Sequence, residues 1–167
     1  MGRNVREAAR RYPQFSWVAV DALKRKDVAA AARDAKIIVH AVNPLNYRNW
    51  GGTFLPMIDN TIAAAQPERA RIVLPGTLYN YGPDVFPLVA EDAPQHPRTR
   101  KGAIRVAMER WLEDAARDDV AAALIVRAGD YFGPGKIANS WFSQMVKPGR
   151  KVSSITYPGL HEVGHAW

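Results

Sequence analysis

Three short apolar runs, separated by long stretches with helical patterning, constrain this chain more than any other feature. They are Lys36–Val42, Arg71–Leu74 and Ala121–Arg127. Continuous apolar runs of this length are typical of strands covered on both faces. The second is stopped by Pro75-Gly76, a strong breaker pair. Thr53–Gln66 reads as a helix between the first two runs. Thr99 can cap another helix that continues to about Arg117, before the third run. Within that helix Ile104, Met108, Trp111, Leu112 and Ala115 fall on one apolar stripe. Upstream, Phe15–Val20 reads as a strand and the Ala-rich, charged segment Lys24–Asp34 as a helix. Thr77–Arg98 is a long Pro-rich loop. After the third run come a turn-rich loop (Gly129–Gly135), a short helix at Ile137–Val146 and a strand at Val152–Ile155. Strand-helix alternation of this kind predicts an α/β fold, a doubly wound parallel sheet with helices on both faces.

The chain of 167 residues suits roughly one domain, at about 100–200 residues each. It has 47% hydrophobic and 23% charged residues, so it can build a core and is not of disordered composition. With no cysteine, disulfides, thiolate metal sites and cysteine nucleophiles are all excluded. The formal net charge of +7 attracts anions. The basic residues are spread over 3–11, 24–26, 98–105 and 147–151 without a nucleic-acid motif, so a nucleic-acid partner is not expected. No apolar run reaches the 18 residues that crossing a membrane requires, and the first residues lack the apolar segment of a secretory leader. A cytoplasmic protein with no membrane partner is the expectation.

Asp21-Ala22 follows the first run of strand character. Thr77-Leu78-Tyr79-Asn80-Tyr81-Gly82 follows the second apolar run. Arg127-Ala128-Gly129-Asp130-Tyr131-Phe132-Gly133-Pro134-Gly135 closes the third. In order and spacing these segments resemble the extended short-chain dehydrogenase/reductase superfamily, in its NAD-dependent epimerase/dehydratase branch, from about Val18 to Trp167. The resemblance implies an incomplete Rossmann-like sheet and NAD or NADP as cofactor. It also implies hydride transfer at a carbinol carbon of a sugar-like or small-molecule substrate, and it allows a homodimer. Residues 1–150 would form a partial cofactor domain and 151–167 the start of a substrate lobe. The family's Gly-rich loop, which cradles the pyrophosphate, has no counterpart in this sequence. Residues 15–20 resemble the family's third strand and 36–42 its fourth, so the chain reads as an internal fragment. Lacking the strands between them, these two segments should either pair directly or let the first detach. Cofactor affinity should be weak for the same reason.

The resemblance also implies site residues. Asp21 would meet the adenine ring, with Ala22 beside it. His40, Ala41 and Val42 would line the middle of the cofactor, with Asn60 on the helix beneath. Ala128, Gly129 and Asp130 would border the nicotinamide. Thr77 falls at the catalytic Ser/Thr position. The family's Tyr-x-x-x-Lys pair becomes Lys101-x-x-x-Arg105, with Glu109 at a family acid four residues on. Arginine does not release its proton, and a lysine acts as a base only when its surroundings lower its pKa by several units. The departure leaves room for a catalytically altered relative that binds dinucleotide as a sensor or scaffold. Tyr79 or Tyr81 could replace the missing phenol or simply pack.

Arg98, Arg100, Lys101 and Arg105 gather at a helix N-terminus, where the dipole disfavours cations. An anionic substrate group would relieve that penalty. The commoner arrangement is a solvated basic face with Arg105 paired to Glu109. His161-Glu162-Val163-Gly164-His165 matches a zinc-protease pattern in letters, but Pro158-Gly159 and Gly164 argue against the helix it needs, so no metal is expected.

Overall fold

The computed structural model describes residues 5–43, 49–129, 146 and 149–154. The chain divides into two compact units, residues 1–127 and 128–167, and every helix and strand among the described residues lies in the first. In chain order these are α1 (Val5–Arg11), α2 (Arg25–Ala32), β1 (Ile37–Val39), α3 (Trp50–Glu68), β2 (Arg71–Gly76), α4 (Arg100–Arg117) and β3 (Ala123–Arg127), with a 3₁₀ turn at Pro83–Val85.

The three apolar runs lie side by side in the order β1-β2-β3, both pairs parallel. Ile38 is level with Ile72, and Leu74 with Ile125. One face of this sheet presents Ile38, Ile72 and Leu74 to the core, where Phe54 and Ile58 of α3 and Met108 and Leu112 of α4 meet them. Each large side chain buried there contributes about 1.5–3 kcal/mol. On the other face, Ile37, Val39, Leu124 and Val126 stay about half exposed or more. Val28 and Ala32 of α2 join the core cluster, and α2 packs on α3.

Local chemistry sets the boundaries. α3 begins after Asn49, whose carbonyl accepts from the Thr53 hydroxyl at 2.7 Å. It ends where Arg69 turns left-handed (φ 48) and closes onto Ala65 and Gln66. The Ala70 amide then donates to Ala65 at 3.0 Å, delivering the chain directly into β2. Thr99 caps α4 as expected, its hydroxyl accepting from the Gly102 amide at 3.0 Å.

Several expectations change. Residues 15–20 form no strand; only Ala19 makes an isolated bridge, and Phe15 and Val18 are exposed. The segment follows neither alternative fully: it adds no strand to the sheet, yet Val20 at its end packs against the core cluster. The aromatics here cluster locally instead: Tyr12 and Phe15 each lie 6.4 Å from Trp17, whose Nε1 donates to the Tyr12 carbonyl. α1 was not foreseen. The first apolar run is regular strand only over 37–39, and α3 starts three residues before Thr53. Trp111 leaves the apolar stripe and is 40% exposed, since the core below α4 is filled by Met108 and Leu112. Residues 152–154 form no strand. The expected helix at 137–146 falls outside the described residues except for Val146, and His161–His165 lies wholly outside them. No helix among the described residues is long and apolar enough to cross a membrane.

Candidate functional site

Parallel sheets bind ligands in the crevice beyond the carboxyl ends of their strands. His40 follows β1, Thr77 follows β2 and Arg127 ends β3, so three of the residues singled out from the sequence stand at that end.

A buried polar network ties this end together. The Arg127 guanidinium donates to Glu109 through both Nη1–Oε1 (2.9 Å) and Nη2–Oε2 (2.7 Å). Glu109 is 1% exposed and sits on the inner face of α4. Gln95 donates to the same carboxylate at 2.9 Å, Asn80 donates to Gln95 at 3.1 Å, and the Thr77 hydroxyl donates to Asn80 at 3.3 Å. Arg127 Nη1 reaches the Thr77 carbonyl at 3.5 Å, which closes the circuit. Burial pulls the Arg127 pKa down, but the Glu109 hydrogen bonds and charge outweigh it and hold the guanidinium above its ordinary range. Tyr81 is buried and packs against Arg127, whose guanidinium carbon lies 5.0 Å from the ring centre. Of the two tyrosines weighed as replacement phenols, Tyr81 is thus a packing residue, while Tyr79 is 45% exposed.

The start of α4 is pressed against this loop. A side chain at Gly102 would meet the Tyr79 carbonyl oxygen and the Pro97 ring. Only glycine lets the helix come this close to the Thr77–Arg98 loop. On the same helix Lys101 and Arg105, one turn apart, project over Trp50. Lys101 Nζ lies 5.2 Å and the Arg105 guanidinium 5.4 Å from that ring, and Arg105 also lies 4.7 Å from Phe54. These are cation–π distances. The expected Arg105–Glu109 pair does not form, because Glu109 faces inward to Arg127 while Arg105 lies on the aromatic rings of α3.

His40 is 3% exposed, and its Nδ1 lies 2.8 Å from the Thr61 hydroxyl oxygen. That hydroxyl already donates to the Met57 carbonyl at 3.1 Å, so it accepts from His40. Nδ1 therefore carries the imidazole proton. Nε2 is then a bare acceptor, buried with no hydrogen-bond partner. Burial, helped by the Arg105 charge, lowers the His40 pKa to about 4, so the ring is neutral at physiological pH.

Asn60 is buried beside this region, and its Nδ2 donates to the Ala22 carbonyl at 2.9 Å. Asp21 caps its own turn, Oδ1 accepting from the Leu23 amide at 3.1 Å. The structure thus joins Ala22 to Asn60, Thr77 to Arg127, and Lys101 and Arg105 to Trp50. Ala41 and Val42 are exposed just beyond His40. Ala128 and Gly129 belong to the second unit, and Asp130 lies outside the described residues. Asn80, Gln95, Trp50 and Phe54 were not foreseen as site residues. The one available signal was Arg127, since a charge that ends an apolar strand run calls for an opposite charge nearby. No group of three or more potential metal ligands occurs among the described residues.

These features define an α/β protein with polar residues gathered at the carboxyl end of a parallel sheet. More particularly, its fold is similar to part of the fold of solved UDP-sugar 4-epimerases. It is similar to UDP-N-acetylglucosamine 4-epimerase from Bacillus cereus (15% identity, TM-score 0.61, 77% of this chain and 50% of that one). It is similar to the NAD complex of Thermus thermophilus UDP-glucose 4-epimerase (18%, 0.61, 73% and 43%). A third similar structure is RMD from Pseudomonas aeruginosa complexed with NADPH (15%, 0.62, 84% and 56%). The chain therefore spans about half the length of these solved relatives. No family model and no curated protein matches it.

Proposed function

We propose that this chain is part of an NAD(P)-dependent oxidoreductase of the epimerase/dehydratase type, acting at a carbinol carbon of a sugar-like or other small-molecule substrate. The observation that carries this reading is Thr77. It stands at the carboxyl end of the central strand, with its hydroxyl held by Asn80 and its backbone reached by Arg127. In this role Thr77 would hold the substrate oxygen. The bound dinucleotide would supply the hydride chemistry.

The fit of the cofactor to the residues present is good at one end. His40 offers an orphaned buried acceptor, and Ala41 and Val42 are exposed beside it. Asp21, Ala22 and Asn60 would support the adenine side, Arg105 the nicotinamide ribose, and Ala128, Gly129 and Asp130 the nicotinamide. For the pyrophosphate the sequence has no Gly-rich loop, so this chain should bind dinucleotide weakly. Residues 1–150 would be the partial cofactor domain and 151–167 the beginning of a substrate lobe. A cytoplasmic location and a homodimer complete the proposal.

A second reading is favoured by one feature, the Lys101-x-x-x-Arg105 pair in place of Tyr-x-x-x-Lys. In that reading the protein binds dinucleotide as a sensor or scaffold without turning over substrate. Titration with NADH and NADPH, followed by a screen of nucleotide sugars and small alcohols with NAD+ or NADP+ for cofactor reduction, separates the two. Hydride transfer that Thr77→Val abolishes supports the enzyme. Dinucleotide binding with no turnover across the screen supports the sensor. Failure to bind either dinucleotide even at millimolar concentration defeats both.

A further inference from the structure

The polar chain that runs from Arg127 to Thr77 has a direction. Glu109, gripped by both terminal nitrogens of the Arg127 guanidinium, is a carboxylate and can only accept. Gln95 must therefore turn its Nε2 toward it, at 2.9 Å, which leaves Gln95 Oε1 facing the other way. That oxygen in turn obliges Asn80 to present Nδ2, at 3.1 Å, and leaves Asn80 Oδ1 facing Thr77. An amide oxygen only accepts, so the Thr77 hydroxyl gives its proton to Asn80. Flipping either amide would change no volume, but it would set donor against donor and acceptor against acceptor. The Arg127–Glu109 pair thus decides, three hydrogen bonds away, where the Thr77 proton points. Asn80 is 0% exposed, so turning that proton elsewhere would strand its Oδ1 out of reach of water. Thr77 is half-buried at the end of β2, and its oxygen keeps two lone pairs for whatever enters there.

We propose that Asn80 and Gln95 are positioning residues that fix Thr77 as a hydrogen-bond acceptor, fitted to the hydroxyl form of a substrate and not to its carbonyl form. This deepens the proposed function by naming the redox form that the site holds, and it rests on that reading for the contact between Thr77 and substrate. A carbinol hydroxyl donates to Thr77 with the chain undisturbed. A ketone or aldehyde needs a donor there, and Thr77 supplies one only by abandoning Asn80. The cost of a stranded buried acceptor corresponds to a preference of about tenfold for the alcohol.

Side-chain amide NMR of the isotope-labelled 167-residue chain tests the direction. The Asn80 amide hydrogens point at Gln95, so their signals should move in Gln95→Met and hardly at all in Thr77→Val. Movement in Thr77→Val alone would put those hydrogens on Thr77 and overturn the proposal. The dispersion of the backbone amide signals confirms that each variant is folded. The Thr77 methyl signal is then titrated with isopropanol and with acetone, which differ only in the oxidation of the central carbon. Isopropanol should perturb it at a concentration about tenfold lower than acetone. Gln95→Met frees Asn80 to turn its amide, so the preference should shift toward acetone, whereas a loss of packing alone would weaken both ligands alike. Equal responses in the wild type, or an unchanged ratio in Gln95→Met, overturn the proposal. If the Asn80 signals follow Gln95 but neither ligand reaches Thr77, the direction of the chain stands, and the substrate contact assigned to Thr77 under the proposed function is what fails.

Discussion

Glu109 and Arg127 join α4 to the end of β3 through two parallel hydrogen bonds of 2.9 and 2.7 Å, with the carboxylate wholly out of water. Such a fork is the strongest geometry open to this pair of groups. Gln95 satisfies a further lone pair, so the buried charge is compensated on several sides. The pair also decides where the Thr77 loop sits, because both ends of the Thr77–Asn80–Gln95 chain terminate on it.

Removing one partner should therefore cost more than removing both. Arg127→Met alone strands the buried Glu109 carboxylate and should destabilise the fold by about 3–5 kcal/mol, whereas Glu109→Leu leaves a guanidinium that still reaches water and should cost less. The double variant should lose markedly less than the sum of the two. Urea unfolding across the full double-mutant cycle measures the coupling, and strict additivity would contradict the arrangement described.

His40 predicts acid sensitivity. Its pKa falls from 6.5 in the unfolded chain to about 4 in the fold, so the unfolded state takes up a proton first as pH drops. The stabilisation is complete above pH 6.5 and is lost progressively down to about pH 4. The total is about 3 kcal/mol at about 1.4 kcal/mol per pKa unit. Unfolding free energies measured between pH 7.5 and 4.5 should fall along this slope in the wild type. His40→Leu should flatten it, and an unchanged slope would show that His40 is not the group responsible.

Two glycines should respond to the same substitution with opposite signs. A Cβ at Gly51 meets nothing within 4 Å, whereas at Gly102 it meets the Tyr79 carbonyl and, at 2.7 Å, Pro97. Both positions are helical, where alanine is intrinsically better by about 0.8–1 kcal/mol. Gly51→Ala should gain up to that amount. Gly102→Ala should lose about 1–3 kcal/mol, because the backbone oxygen cannot yield as a side chain would. Thermal melts of the two variants, each about 2–4 °C per kcal/mol, give the comparison directly.

The cap at Thr99 gives a smaller, cleaner effect. Its hydroxyl accepts from the Gly102 amide at 3.0 Å. Thr99→Ala should cost about 1 kcal/mol and Thr99→Ser close to nothing. A melting temperature unchanged by the alanine variant would mean that the cap contributes nothing measurable.

Much of the fold was legible in the sequence because its signals are local. The runs at 36–42, 71–74 and 121–127 became the parallel sheet and Thr99 opened α4, but Pro75-Gly76 did not stop the central strand: β2 continues through both residues, paired with Val126 and Arg127. The site was legible only in outline. Thr77 was singled out, but Asn80 and Gln95 lie in a Pro-rich loop whose side-chain pairing follows no period. Lys101 and Arg105 were noticed as a charged cluster, while their aromatic partners Trp50 and Phe54 sit about fifty residues earlier on another helix.

Apolar runs, breakers and caps act over a few residues, so the chain itself decided where strands and helices form and in what order they alternate. Partnership across the fold is a different kind of information. Whether Glu109 neutralises Arg105 or Arg127 depends on which face of α4 lands on β3, and whether residues 15–20 become a strand depends on a neighbour to bond with. Packing settled both, because a buried charge or an unpaired backbone is too costly to leave unmatched.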